Sequence, residues 1–198
     1  MYKGVFRMFS KDSGVYIACL AILPLMICSG IIYSIFPLYI VSLGASRSEV
    51  GLVCTCGAIA GAVTSPLWGK LSDKKGRKAT LIISMVLFIF VFSGYTLSKH
   101  YSHLYFIQIV EGVAWGALGA SSIALIADLA PIEKRGKAMG IYNSTWNPGW
   151  IVGPLDGGFL SDHVGFRYTF FICVLIIVAD ICLTALAIPS KRKMGAIT

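Results

Sequence analysis

The chain has 198 residues, 57% of them hydrophobic and only 13% charged, with a formal net charge of +8. Soluble globular chains carry about 25% charged residues, so this composition excludes an ordinary soluble domain. The positive charge does not point to nucleic acid either, because it sits in short runs between apolar stretches rather than on a basic face interleaved with stacking aromatics.

A helix needs about 20 mostly apolar residues to cross the hydrocarbon of a bilayer. Six stretches qualify, at 15–41, 49–69, 79–98, 103–130, 137–160 and 168–188, and short connections join them. The first follows Lys3, Arg7 and Lys11. It exceeds the roughly 7–15 residues of a signal-peptide core, so it is read as the first membrane helix. The second runs into Gly69, Lys70, Leu71, Ser72, Asp73, Lys74, Lys75, Gly76, Arg77 and Lys78. Here Gly69 would allow close helix contact, Asp73 puts an anion at a helix end, and Gly76 permits a tight turn. Arg77 and Lys78 would then face anionic headgroups or an acidic partner.

This segment resembles the signature of the major facilitator superfamily between its helices two and three, G-x-L-x-D-x-x-G-R-[RK]. Phe36, Pro37, Leu38 and Tyr39 through Gly44 resemble the end of that family's helix one. Ala127, Asp128, Leu129, Ala130 and Pro131, followed by Arg135 and Gly136, resemble its junction between helices four and five. The resemblance covers essentially the whole chain. It implies an all-α membrane fold of six transmembrane helices in an inverted three-plus-three repeat, one half of the family's fold.

In the fourth stretch Glu111 lies about two turns in, with Gln108 and Trp115 on its face at i−3 and i+4. An acid inside a membrane segment is a functional hypothesis by default. It is a candidate for proton coupling or cation recognition, or for a structural hydrogen bond to a neighbouring helix. The family often carries an arginine where Gln108 stands, which is a departure from its proton-coupling pattern. Asp128, near the inner end, is expected to join Asp73 and Arg77 in a gating cluster, with a static ion pair as the alternative.

The fifth stretch carries Gly140, Gly149, Gly153, Pro154, Gly157 and Gly158. Their spacing, G-x8-G-x3-G-P-x2-G-G, is similar to a signature of proton-coupled drug antiporters in the family. Small residues here give a smooth helix face, and Pro weakens the ladder. Tyr33, Gln108, Trp115, Asn143 and Asn147 are the candidates for the substrate face that the family's fold implies, each equally able to stitch helices together. Asp156 is expected at a solvated rim, and Asp180 in the sixth stretch is expected to pack or to meet a partner. The six cysteines lie in apolar runs and are read as small buried thiols. His100, His103 and His163 are read as surface residues.

The run from Gly69 to Gly76 recurs from Gly158 to Gly165 at an offset of 89 residues, with five identities in eight positions. Equivalent segments ending helices two and five, on opposite faces, are what an inverted repeat produces. If both termini are cytoplasmic, fourteen of the seventeen Lys and Arg residues fall inside, and only Arg47, Lys99 and Arg167 fall outside. That asymmetry orients a multi-pass protein of the cell membrane.

Residues 1–190 are therefore expected to form a six-helix bundle, the N-terminal half of the family's fold. Residues 191–198, with Lys191, Arg192 and Lys193, resemble the start of its central cytoplasmic loop. The resemblance implies transport of a small organic solute by alternating access, as proton-coupled efflux. The alternatives are a proton/solute symporter half, or a truncated or non-transporting membrane protein. The implied partners are the bilayer, a small-molecule substrate, protons, and either a second copy or a missing C-terminal six-helix half. Neither a nucleophile–base pair nor a metal cluster nor a phosphate loop stands at motif spacing, so no catalytic residue, metal or cofactor is expected.

Overall fold

The computed structural model describes residues 11–188, and among them the chain is helical with no strand. Among the described residues five helices are long and apolar enough to cross a membrane: α1 (Lys11–Ser42), α2 (Arg47–Lys75), α3 (Arg77–Leu97), α4 (Ser102–Leu129) and α5 (Arg135–Ala187). The expected basic residues Lys3 and Arg7, and the expected loop at 191–198, lie outside the described residues.

Local chemistry sets the ends of these helices. Ser46 opens α2 with a reciprocal capping box: the Glu49 N–H donates to Ser46 Oγ at 3.3 Å, and the Ser46 N–H donates to Glu49 Oε2 at 2.7 Å. Two otherwise orphaned donors are satisfied that way. Ala130, just before Pro131, is extended and ends α4. A single 3-10 turn, Ile132–Lys134, then leads into α5.

Two reversals use one residue each. Gly76, between α2 and α3, has φ 99° and ψ 148°. Gly165, inside α5, has φ 80° and ψ 162°. Only glycine adopts such angles without strain. The two lie at the 89-residue offset of the sequence repeat.

The sequence separates stretches 137–160 and 168–188, whereas the structure runs them together in α5, broken only at Gly165. The two parts of α5 pack along α1 in opposite senses. Before the break, Gly149 meets Met26, Gly153 meets Gly30, and Gly157 meets Ile31. After it, the Phe166 and Phe170 rings pack on Tyr39, the Cys28 thiol faces the Cys173 carbonyl at 3.9 Å, and Thr184 donates to the Ala21 carbonyl at 3.2 Å. The register climbs α1 before Gly165 and descends it afterwards, so the chain doubles back there.

Lipid tails are as apolar as leucine, so membrane helices associate by close van der Waals packing and hydrogen bonds rather than by a hydrophobic drive. Both glycine-rich contacts obey this rule: α1 against α5, and α2 against α4 through Gly57, Gly61 and Gly112. The buried core joins Ile22, Leu25, Ile32 and Ile40 of α1 to Phe88, Phe92 and Tyr95 of α3 and to Phe170. Cations cap the ends of two helices. Lys78 Nζ donates to the Ala185 carbonyl at 2.5 Å, and Arg167 Nη2 donates to the Ser98 carbonyl at 3.0 Å. Cations favour the negative, C-terminal ends of helices. Lys78 and Arg167 also stand 89 residues apart.

Not every cysteine is buried. Cys19, Cys28 and Cys173 are, but Cys54 and Cys182 are exposed, because they lie on faces that no other described helix covers.

Candidate functional site

A cavity of about 410 Å³ opens beside α1, α2 and α4. From α4 come Gln108, Glu111 and Trp115, from α2 Cys54, Gly57, Gly61 and Ser65, and from α1 Tyr33. Helical spacing puts these side chains on one face of each helix. The α4 face lies close to α2 because glycine backbones meet there: a Cβ on Gly112 would press on Gly57 and Gly61.

Glu111 anchors this wall. It is 2% exposed. Tyr95 Oη of α3 donates to Glu111 Oε2 at 2.5 Å, and Gln108 Nε2 donates to the same oxygen at 2.5 Å. Gln108 Nε2 also donates to Tyr95 Oη at 2.8 Å, so three buried side chains close a ring of hydrogen bonds. An ionised carboxylate only accepts, and this arrangement presents it with donors. Tyr33 and Trp115 stand beside the same carboxyl. Trp115 Nε1 is buried and makes no hydrogen bond of ordinary geometry among the described residues.

Aromatic rings continue from there. Tyr33 meets Trp115 at 6.2 Å and Trp150 at 6.0 Å between ring centroids, and Trp115 meets Phe88 at 5.0 Å and Trp146 at 5.7 Å. These separations suit edge and tilted aromatic packing.

A second cluster joins α2, α3 and α4. Arg77 Nε donates to Asp128 Oδ2 at 3.0 Å, while Nη1 pairs with Asp73 and reaches Ser72 Oγ at 3.3 Å. The guanidinium fork suits several acceptors at once. Gly76 makes this possible by turning the chain within one residue, which leaves Asp73 and Arg77 four positions apart on either side of the turn. Lys78, next along, donates to the Ala185 carbonyl near the end of α5.

The other expected residues divide. Gly149, Gly153 and Gly157 press on the α1 backbone, whereas among the described residues nothing lies within 4 Å of a Cβ built on Gly140 or Gly158, and Pro154 is exposed. The expected close contact at Gly69 is absent among the described residues, because nothing lies within 4 Å of a Cβ built there. Asn143 and Asn147 are exposed and do not line the cavity. They share a strip of α5 with Trp150, which does reach Tyr33. Sequence reasoning missed Tyr95, Cys54, Trp146 and Trp150. A tyrosine in an otherwise apolar membrane helix was a readable signal, since a buried phenol finds a hydrogen-bond partner. His100, His103 and His163 are exposed.

Residues 18–195 match the family described as Major Facilitator Superfamily. The chain belongs to that superfamily. Among its relatives, the Quinolone resistance protein NorA of Staphylococcus aureus is 27% identical over 164 residues, 83% of this chain and 42% of NorA. Multidrug resistance protein 2 of Bacillus subtilis is 31% identical over 159 residues, 80% of this chain and 38% of the relative. The human organic anion transporter MFSD10 (TETRAN) shares the fold, with a TM-score of 0.79 at 16% identity. The match covers 92% of this chain and 49% of MFSD10. This superfamily chain thus spans less than half the length of the curated relatives it matches and resembles one half of a drug transporter.

Proposed function

We propose that this chain is the N-terminal half of a transporter that exports a drug-like organic solute by alternating access, in exchange for protons. The observation that carries the reading is the buried Glu111 carboxyl at the wall of a 410 Å³ cavity flanked by Tyr33 and Trp115. Such a carboxyl can take up a proton or meet a cationic substrate. Aromatic faces attract cations and apolar rings alike. The names of the relatives, which speak of quinolone and multidrug resistance, support the same class of cargo.

In this reading the five apolar helices make six crossings, related as an inverted three-plus-three repeat. A straight α5 would be about 80 Å long at 1.5 Å per residue, far beyond the roughly 30 Å hydrocarbon core. The doubling back at Gly165 supports two crossings instead. The repeat draws support from matched features at the 89-residue offset: the positive-φ glycines Gly76 and Gly165, and the helix-capping cations Lys78 and Arg167. Both termini lie in the cytoplasm of a cell-membrane protein, by the placement of Lys and Arg.

Arg77, Asp73 and Asp128 tie the inner ends of α2, α3 and α4 together in one state and release them in the other. Asn143, Asn147 and the rings around Tyr33 face the solute, and a second six-helix half, from another copy or another chain, supplies the opposing wall. The test is uptake of a fluorescent amphipathic dye into everted membrane vesicles that carry the chain, alone and with a completing half. Uptake that collapses when the proton gradient is dissipated is expected, as is its loss in Glu111→Gln. Gradient-independent uptake, or unchanged uptake by Glu111→Gln, would remove the proton role from Glu111.

A further inference from the structure

Asp180 lies in α5 after Gly165, away from the cavity. It is 1% exposed, and among the described residues neither carboxyl oxygen meets a counter-ion or a side-chain donor; the Leu25 backbone N–H lies beside it. Its surroundings belong to α1 and α5: the Leu25 backbone and the Cys28 thiol on α1, with Cys173 and Thr184 on its own helix face. The Thr184 hydroxyl is committed to the Ala21 carbonyl, and Cys28 faces the Cys173 carbonyl. On α3, the charged groups nearest that end of α5 in the fold are Arg77 and Lys78. Arg77 is held by Asp73 and Asp128, Lys78 Nζ donates to the Ala185 carbonyl, and neither donates to Asp180. Because Asp180 is closed off inside this half, a second half docked on the open cavity would not reach it.

An ionised carboxylate taken out of water with no counter-ion and no more than a backbone N–H beside it is among the most costly groups a protein can bury, and such a group neutralises instead. We propose that Asp180 is a proton-binding site, its neutral carboxyl holding a proton between α1 and the segment of α5 after Gly165. It is separate from Glu111, which has donors and lines the cavity. The proton lets the two helices close over the acid. Its loss to water leaves an anion against Leu25 and Cys28, just past the turn of α1 where Pro24 has no N–H to give, and the helices must part to hydrate it. This site stands independently of the transport reading.

Infrared spectroscopy of the full chain, with isotope label on the side-chain carboxyl of aspartate, reads the proton directly. The wild-type protein at neutral pH should show a protonated aspartate band, which Asp180→Asn loses and Glu111→Gln keeps. A wild-type spectrum with carboxylate bands alone overturns the proposal, whether or not Asp180→Asn folds. A second readout uses a variant whose sole cysteine is Cys28. Raising the pH should expose Cys28 to a membrane-permeant maleimide far faster with Asp180 present than with Asp180→Asn. Equal labelling in the two also overturns it.

Discussion

Alanine at Gly112 would drive α2 and α4 apart. A Cβ built there lies 2.8 Å from Gly61 N and 2.9 Å from Gly57 C, with Gly57 O closer still. Ordinary contacts begin near 3.4 Å. Every atom it meets is backbone, so no rotamer can yield and the helices must separate by about 1 Å, a strain of about 1–3 kcal/mol. Alanine recovers about 0.5–1 kcal/mol of helix propensity. The net loss of about 1–2 kcal/mol corresponds to a melting drop of about 2–8 °C for a chain of this size. Gly158→Ala is the control, because nothing lies within 4 Å of its Cβ position; it should melt at or above the wild-type temperature. Fluorescence-monitored melting in detergent separates the two. Gly112→Ala melting with the wild type would refute the claim that glycine is there for helix contact. The same separation widens the cavity beside Glu111, so dye uptake should fall in Gly112→Ala and persist in Gly158→Ala.

Three other outcomes are expected. Arg77→Lys keeps the charge but loses the fork that bridges Asp73, Ser72 and Asp128; its partners are partly exposed, so stability should change by less than about 1 kcal/mol, while vesicle uptake should fall strongly. Tyr95→Phe removes the phenol that donates to Glu111 and accepts from Gln108. It should cost about 1–3 kcal/mol in chemical denaturation and alter the pH profile of uptake, and an unchanged profile would mean that the ring of hydrogen bonds is structural. Gly165→Ala puts a side chain at φ 80° and should cost about 1–3 kcal/mol, readable as a lower melting temperature and a poorer yield of folded protein in the membrane.

The parts of this fold that could be read beforehand are those written in local pattern. Apolar runs mark the helices, and helical spacing places Gln108, Glu111 and Trp115 on one wall. The Asp73, Gly76, Arg77 run puts an acid and a base either side of a turn. What could not be read depends on which helix lies opposite. Tyr95 reaches Glu111 from α3 across 16 positions, and no local spacing announces that. Asn143 and Asn147 share a helical face as expected, but whether that face is covered depends on neighbours, and among the described residues it is open. Gly69 belongs to a strong motif, yet among the described residues nothing lies within 4 Å of a Cβ built there. Asp180 showed in the sequence only as one acid in an apolar run; its isolation comes from the descent of α5 along α1.

The one-residue reversals at Gly76 and Gly165 bear on how such a chain enters a bilayer. With the helical backbone broken at Gly165 alone, the arms on either side leave only a short connection that could wait in water while the second arm is being made. On the proposed reading of six crossings, each pair would enter the lipid as a bent hairpin. In the finished protein, Asp162, His163 and Val164 are exposed at that bend, so this short strip, rather than a loop, is what a protease or an antibody would meet.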